Sequence, residues 1–441
     1  MSKTFLFLSK QGDSIPIAQR IAEEGHKVNF YINEPKARRV GDGLVTKHSE
    51  TGVLVSEGGR ISSKVFDSLT SSSPDCIILD MVGSGFGIAA DRYRKLGIPV
   101  LGGSEWQDRI ELDRPFGAKV MYELNINYPL SNVFTDYKKA IAFVKETGKA
   151  YVYKPSGNQP TTTTYVAIGP EDLIGILDFY STSIKEEFEL QEKKVGVEIS
   201  TEAWFNGKEV IHINHTMEEK ALMEGGKGPK AGCMGSVVWI GDTNSKLFKE
   251  SLGRLLPLLR KVKYIGPIDI NAIVDEHSFW GLEWTARFGY DAIFVLLEMY
   301  KGKVGDLMLG VATGTQKKME FKSKIGIGVD IGVPPFPIAS DEPDMYKDIL
   351  IQGLNKYNLK HFWSYDVYKK DNRYLVSGNG GDIGTLTARG DEVGNFSPLR
   401  DAKRRVMRTI GNLVIPDVMY RSDIGDRVDG DRAKLKDWGW L

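Results

Sequence analysis

Four apolar runs in the first hundred residues constrain the fold more than any other feature: TFLFLS (4–9), KVNFYI (27–32), CIILDMV (76–82) and IPVLGG (98–103). Each has the length of a buried strand. Between the first two, Ser14 offers a helix N-cap, Pro16 lies in the first turn, Ile17, Ile21 and Ala22 share a face, and Gly25 is a stop. Between the last two lies the helix-like AADRYRKLG (89–97). Strands that alternate with helices pair in parallel through right-handed crossovers, and ligands bind beyond the carboxyl ends of such strands. Gly83-Ser84-Gly85 follows the third strand at such an end, either as a ligand loop or as a tight turn.

From about residue 110 the pattern changes. A helix (113–124) leads to AYVYKPSG (150–157), a strand ending in Lys154. EFELQEK (187–193) follows, then VEISTEAWFNGKEVIHIN (197–214), a hairpin with Asn206-Gly207 at its turn. SVVWIG, a long amphipathic helix (244–262) and the strand pair IGPIDINAIV (265–274) and FWGLEWTARF (279–288) complete an antiparallel α+β region. Beyond about 320, short strands rich in Gly, Asn and Asp lead to a basic helix, DAKRRVMRTIGNL. The expected organisation is an N-terminal parallel α/β domain (1–110), a central domain (111–320) and a C-terminal β-rich domain (321–441).

KALMEGGKGPKAGCMG (220–235) fits neither a helix nor a packed strand, being rich in glycine and lysine with one acid, Glu224. The chain has 48 glycines in 441 residues, many of them in discrete loops, which suggests backbone held close to ligands. Lys+Arg and Asp+Glu are both 58, and this balance argues against bulk binding to nucleic acid or to an anionic membrane. There is no run of 18 apolar residues, and MSKTFLFLSKQGDS turns polar too soon for a signal peptide. Cys76 and Cys233 read as free thiols in a reducing, cytoplasmic setting.

Two groups of residues point to chemistry. Asp269, Asn271, Glu283, Thr285 and Arg287 occupy alternate positions on the paired strands, so they share faces. Buried acids need a partner, and two carboxylates with an amide suit Mg²⁺ beside substrate phosphates, with Arg287 holding phosphate oxygens. A structural Arg–Glu pair beside an exposed aspartate is the plainer alternative. Lys154, followed by PSGNQPTTTT, suits a phosphate grip of hydroxyls and backbone amides, or else a polar loop.

The order of these features resembles the ATP-grasp superfamily, and within it the phosphoribosylamine–glycine ligase family, the glycinamide ribonucleotide synthetases. That family's Gly-Pro-Asn-Thr-Gly-Gly-Met-Gly signature is similar to Gly228-Pro229-Lys230-Ala231-Gly232-Cys233-Met234-Gly235, and Lys220 falls where its Asp-His-Lys-Arg lysine stands. Its Glu-x-Asn-x-Arg-Phe-Gly-Asp resembles Glu283 to Tyr290, and its Tyr-Arg-x-Asp-Ile-Gly-x-Arg resembles Tyr420 to Arg427. SGNGGDIGTLTARGD (377–391) is similar to its C-terminal glycine run. The resemblance implies an ATP-grasp fold and a ligase that forms an acyl phosphate from ATP and a carboxylate, then an amide, as in purine nucleotide metabolism. It implies Arg114 and Lys154 on the nucleotide phosphates, Gln191 to Lys194 at the adenine and Glu198 at the ribose. Asp269, Glu283 and Asn271 would hold Mg²⁺, or Mn²⁺ in its place. Arg287, Lys220, Gly232 and Gly235 would serve the transfer itself. The implied partners are a small carboxylate (an amino acid such as glycine) and an amine, with a nucleotide among the candidates, acting on a monomer or homodimer.

The departures lie at the substrate end. The family's Gly-Ser-Gly-Gly-Arg-Glu-His-Ala loop is LSKQGDSIPIA here, and its Val-Gly-Pro-Glu-Ala-Pro-Leu loop is Val82 to Ile88. Thr285 replaces a metal-bridging Asn, Tyr290 replaces an Asp, and GNQPTTTTYV replaces a glycine-rich phosphate loop. An active ligase with altered substrates is the expectation. An orthodox glycinamide ribonucleotide synthetase and a nucleotide-binding protein without ligase activity are the alternatives.

Overall fold

The first apolar run becomes the strand Thr4–Ser9, which pairs in parallel with Lys27–Ile32 on one side and Cys76–Leu79 on the other, with Val100–Leu101 outermost. The computed structural model describes residues 1–53, 56–57, 60–61, 63–71, 73–155, 164–181, 187–338, 345–392 and 397–441. The helix Ile15–Glu23 starts after Ser14, but the Ser14 hydroxyl does not cap it. That hydroxyl donates instead to the buried carboxylate of Asp80 beyond the Cys76–Leu79 strand. Gly83 N and Gly87 N both donate to Asp108, at 2.9 and 3.1 Å. Those two amides are therefore spent on a tight turn and are not free for a ligand.

A second, antiparallel sheet orders Ser131–Phe134, Phe188–Glu192, Tyr151–Pro155 and Tyr165–Val166, with the helices Tyr137–Thr147 and Pro170–Ser181 packed together beside it. Asp136 caps the first of these helices through Lys138 N and Lys139 N. Such caps stabilise a helix by about 1 kcal/mol.

The third sheet has eight antiparallel strands. Its order is Phe279–Thr285, Ile265–Val274, Val197–Asn206, Val210–Glu218, Gly235–Ile240, Ile325–Gly332, Asp382–Arg389, Phe362–Ser364. The predicted helix over 244–262 is two helices, Lys246–Glu250 and Leu252–Lys261. Ser251 separates them with non-helical dihedrals, its hydroxyl donating to Leu247 O at 2.6 Å. The basic helix Pro398–Ile410 packs on the Ile325–Gly332 and Asp382–Arg389 strands, and a further helix, Val428–Asp437, has no counterpart in the sequence reading. Both cysteines are free.

The stretch 220–235, expected to hold no packed strand, carries a short two-stranded ribbon, Ala221–Met223 with Lys227–Lys230. Its second strand is fully exposed, so backbone pairing forms it without any packed face. Arg421, only 2% exposed, clamps the ribbon's base. It donates to Ala221 O (2.9 Å), Asp423 (2.7 Å) and Glu219 (3.3 Å). Arg427 adds bonds to Glu219 (2.6 Å) and Glu218 O (2.9 Å).

His212 and His215, on the strand Val210–Glu218, are 8% and 1% exposed, and burial pulls both pKa values down to about 3. The unfolded chain takes up their protons below pH ~6.5, so their contribution to stability is lost as pH falls from there towards 3. Each histidine costs about 1.4 kcal/mol per pH unit in that window. The stability difference between wild type and His215→Gln, read from urea unfolding, is expected to move in glutamine's favour by about 2 kcal/mol between pH 7.5 and 5. An unchanged difference contradicts a buried neutral His215.

Candidate active site

Pairing in the large sheet decides which polar side chains share a face. Asp269 lies opposite Thr285 and Glu202, and Asn271 lies opposite Glu283 and Ser200. Strand alternation places Glu198 on that face too, and Glu218, at the end of its strand, faces Ser236. Into this group reaches Lys220. Its Nζ lies 3.0 Å from Glu198, 3.7 Å from Glu218 and 3.8 Å from Glu283. Burial alone would lower the lysine's pKa, but these three carboxylates outweigh it and hold the ammonium firmly charged. Burial likewise pushes Glu198 up, yet Lys220 prevails and keeps it below the usual carboxylate range. Glu218 is pushed up to about 7 by burial, which exceeds the pull of Lys220. Asp269 is raised well above its usual value by burial and then by the charges of Glu218 and Glu202.

One ammonium thus stands among five carboxylates: Glu198, Glu202, Glu218, Asp269 and Glu283. The Asn271 carbonyl oxygen is buried nearby with no hydrogen-bond donor. Hard oxygens in excess of local positive charge, with an orphaned amide oxygen among them, fit a divalent cation such as Mg²⁺. The structure puts Lys220 at the centre of these acids, and its closest partner is Glu198, the residue expected at the ribose.

Beside the acids opens a cleft of about 790 Å³, lined by Arg114, Lys154, Glu189, Glu283, Thr285 and Arg287 among others. Lys154 is half-buried on the smaller sheet, opposite Glu189. Burial lowers its pKa, while the charge of Glu283 across the cleft works the other way. Arg114 is the first residue of the helix Arg114–Glu123, set there by the Asp113 cap, and it donates to Pro155 O at 2.8 Å. The Thr-rich loop expected to grip phosphate lies outside the described residues, apart from Thr164 on the cleft wall.

Other expected residues stand differently. Gln191 is 1% exposed, and its amide donates inward to Ser131 (3.3 Å) and Pro129 O (3.5 Å). Lys194 pairs with Glu192 at 2.8 Å and lies 3.8 Å over the Trp280 ring. Arg287 bonds through Nε to Glu111 at 3.0 Å, while Glu111 also accepts from Ala286 N at 2.6 Å. The arginine's partner is thus Glu111 and not a glutamate of the paired strands, Asp269 is buried and not exposed, and the Glu111 pair fixes Arg287 at the cleft wall. Gly232, at φ +80°, is exposed with open space where a Cβ would lie. Gly235 is a packing glycine: a Cβ there would lie 2.6 Å from Gly328 O.

The sequence reading missed Glu202, Glu218 and Glu111. Alternation from Glu198 along its strand would have found Glu202, and alternation back from Lys220 would have found Glu218. Glu111 has no local signal, since its partner is 176 residues away.

Residues 113–289 match the family model described as phosphoribosylglycinamide synthetase, ATP-grasp (A) domain. Similar curated proteins include the phosphoribosylamine–glycine ligase of Halalkalibacterium halodurans, 24% identical over 354 residues that cover 78% of this chain and 80% of the relative. That of Methanopyrus kandleri is 24% identical over 359 residues, 76% of this chain and 78% of the relative. Among solved structures, the Thermotoga maritima phosphoribosylamine–glycine ligase aligns with a TM-score of 0.68 at 18% identity, over 96% of this chain and 100% of that one. The Campylobacter jejuni biotin carboxylase aligns at 0.62 and 13%, over 99% and 97%. The fold is the ATP-grasp fold.

Proposed function

We propose that this chain, an ATP-grasp protein similar to phosphoribosylamine–glycine ligases, joins a carboxylate to an amine at the expense of ATP. The observation that carries this reading is the acid group around Lys220, set against the cleft of Lys154, Arg114 and Arg287. A nucleotide in that cleft would lay its phosphates between Lys154 on the smaller sheet and Glu283 on the larger. Asp269, Glu283 and Asn271 would hold Mg²⁺, which supplies charge neutralisation on the phosphates when bound.

The chemistry balances in two steps. A carboxylate oxygen attacks the γ-phosphorus; the bond to the β,γ-bridging oxygen breaks, and ADP leaves with the electron pair. The amine nitrogen then attacks the acyl carbon; the carbon–oxygen bond to phosphate breaks, inorganic phosphate leaves, and nitrogen gives up a proton. Arg287, held by Glu111, would neutralise the transferring phosphoryl oxygens. The protein's contribution is positioning and electrostatics.

The test is ADP release from Mg-ATP with amino acids crossed against amines, including glycine and phosphoribosylamine, the substrates that the relatives' name carries. Release that depends on one carboxylate–amine pair supports the reading, and ATP binding without release from any pair overturns it. Lys154→Ala is expected to weaken ATP binding several-fold, since it removes a half-buried cation from the cleft wall. Equal affinity by calorimetry would take Lys154 out of the site.

A further inference from the structure

One buried group of ligand atoms uses none of the residues that line the nucleotide cleft or surround Lys220. Cys233 Sγ and one carboxylate oxygen each from Asp291 and Asp330 lie within 4.8 Å of one another. Three separate elements bring them there. Cys233 stands at the end of the glycine-rich stretch, just before the strand Gly235–Ile240. Asp291 precedes the helix Ala292–Met299, and Asp330 lies on the strand Ile325–Gly332. Backbone pairing joins the first and the third: Asp330 N donates to Met234 O at 3.1 Å, and Gly235 pairs with Val329. The Thr385 hydroxyl, from the next strand, donates to Asp330 and sets its carboxylate.

These atoms are gathered but not satisfied. Asp291 is 1% exposed, and among the described residues neither of its carboxylate oxygens has a hydrogen-bond partner. Its side chain does not cap the helix that it precedes. Cys233 and Ser236 both face this carboxylate, yet neither bonds to it. The Cys233 thiol donates to Gly235 O instead, at 3.3 Å. The Ser236 hydroxyl is fully buried and makes no hydrogen bond among the described residues. A buried carboxylate without a partner is costly, and a buried hydroxyl beside it that bonds to nothing points to a group that both would bind. Among the described residues no lysine, arginine or histidine pairs with Asp291 or Asp330. The charges that reach Asp330 are those of Asp291, Asp382 and Glu218, all of them acids.

We infer that Cys233, Asp291 and Asp330 bind a zinc ion, at a site separate from the Mg²⁺ set of Asp269, Glu283 and Asn271. The donor set selects the metal. Mg²⁺ and Ca²⁺ take oxygen ligands, whereas a thiolate among carboxylates suits Zn²⁺. Tetrahedral zinc, with bonds of about 2.3 Å to sulfur and about 2.0–2.2 Å to oxygen, holds its ligand atoms about 3.4–3.6 Å apart. The three atoms here stand within a short closing movement of that spacing. Coordination takes the proton from the thiol and releases it to solvent. Gly235 N, 3.4 Å from the sulfur, then donates to a thiolate, which strengthens that bond. A water would take the fourth position, bonded by the Ser236 hydroxyl. Cys233 is only half-buried, which gives the ion a way in. Bound there, zinc would tie the end of the glycine-rich stretch to the large sheet and to the helix Ala292–Met299. The site stands on its own donors and does not depend on the ligase reading.

The experiment takes the full chain, stripped with a chelator and held in excess Mg²⁺. It is titrated calorimetrically with Zn²⁺, and with Co²⁺ by absorption. One equivalent of Zn²⁺ is expected to bind, and Co²⁺ is expected to give a thiolate-to-metal charge-transfer band in the near ultraviolet. Cys233→Ser is expected to abolish that band, and Cys76→Ser to leave it, since Cys76 lies in the parallel sheet. Asp291→Asn and Asp330→Asn are expected to weaken Zn²⁺ binding at least tenfold. Each removes a buried charge and keeps the side chain's shape, and thermal unfolding checks that the variants fold. No bound Zn²⁺ overturns the proposal and leaves the two acids relieved by a shared proton. Binding without the Co²⁺ band, or binding unchanged in both aspartate variants, means an adventitious ion only and overturns it equally. The ADP-release assay is a separate reading: its failure leaves the zinc site standing, and failure of zinc binding leaves the ligase.

Discussion

Glu283→Gln is expected to cut ADP release from Mg-ATP by at least about a hundredfold while leaving the fold intact. The Glu283 side chain is 62% exposed on its strand, so glutamine loses no packing there. What is lost is charge at a point where three things depend on it. In the proposed reading Glu283 would be an oxygen donor for the cation opposite Asn271; it is also one of three acids that compensate Lys220 and, ahead of Glu189, an acid whose charge favours protonated Lys154. A neutral amide keeps the shape and weakens all three. The checks are steady-state ADP release and urea unfolding, side by side. Turnover within about tenfold of wild type would remove Glu283 from the metal set, because electrostatic groups at a transferring phosphoryl contribute more than that.

Arg421→Ala is expected to destabilise the chain by about 3 kcal/mol. The guanidinium is 2% exposed and bonds to Ala221 O, to both oxygens of Asp423 and to Glu219. Alanine would leave Asp423 and Glu219 facing each other without it. These two acids keep some access to water, at 25% and 19% exposure, which holds the cost near the lower end for a broken buried pair. Arg421→Lys is expected to recover only part, since one ammonium cannot reproduce a planar fork on three partners. The urea midpoint measures both, and a loss under about 1 kcal/mol for alanine would show that the clamp does not hold the ribbon's base.

The strands and their faces were legible because burial imposes a period of two: Asp269, Asn271 and Glu283 could be paired before any coordinate was known. The parallel sheet was legible from four apolar runs. What escaped was long-range or negative. Ser14 caps nothing because Asp80, 66 residues on, captures its hydroxyl. Glu111 meets Arg287 only after the Glu105–Leu112 helix packs against the strand end. Gly235 read as a residue serving the transfer, and the packing that also calls for glycine there, the close approach of Gly328 O from a distant strand, had no local signal. The ribbon at 221–230 has no packed face to give it a pattern: its exposed strand is held by backbone bonds and a distant arginine.

That arginine has a consequence for how the protein is made. The contacts at the ribbon's base, Arg421 to Ala221 and Arg427 to Glu218, join positions 200 and 209 residues apart. Lys220 and Glu218, which stand with Glu198 and Glu283 in the acid group of the large sheet, sit at that base. During synthesis these residues emerge long before the segment that fastens them. The charge cluster at the ribbon's base therefore waits for the segment that carries Arg421 and Arg427, and a chain that has not yet reached it lacks those fastenings.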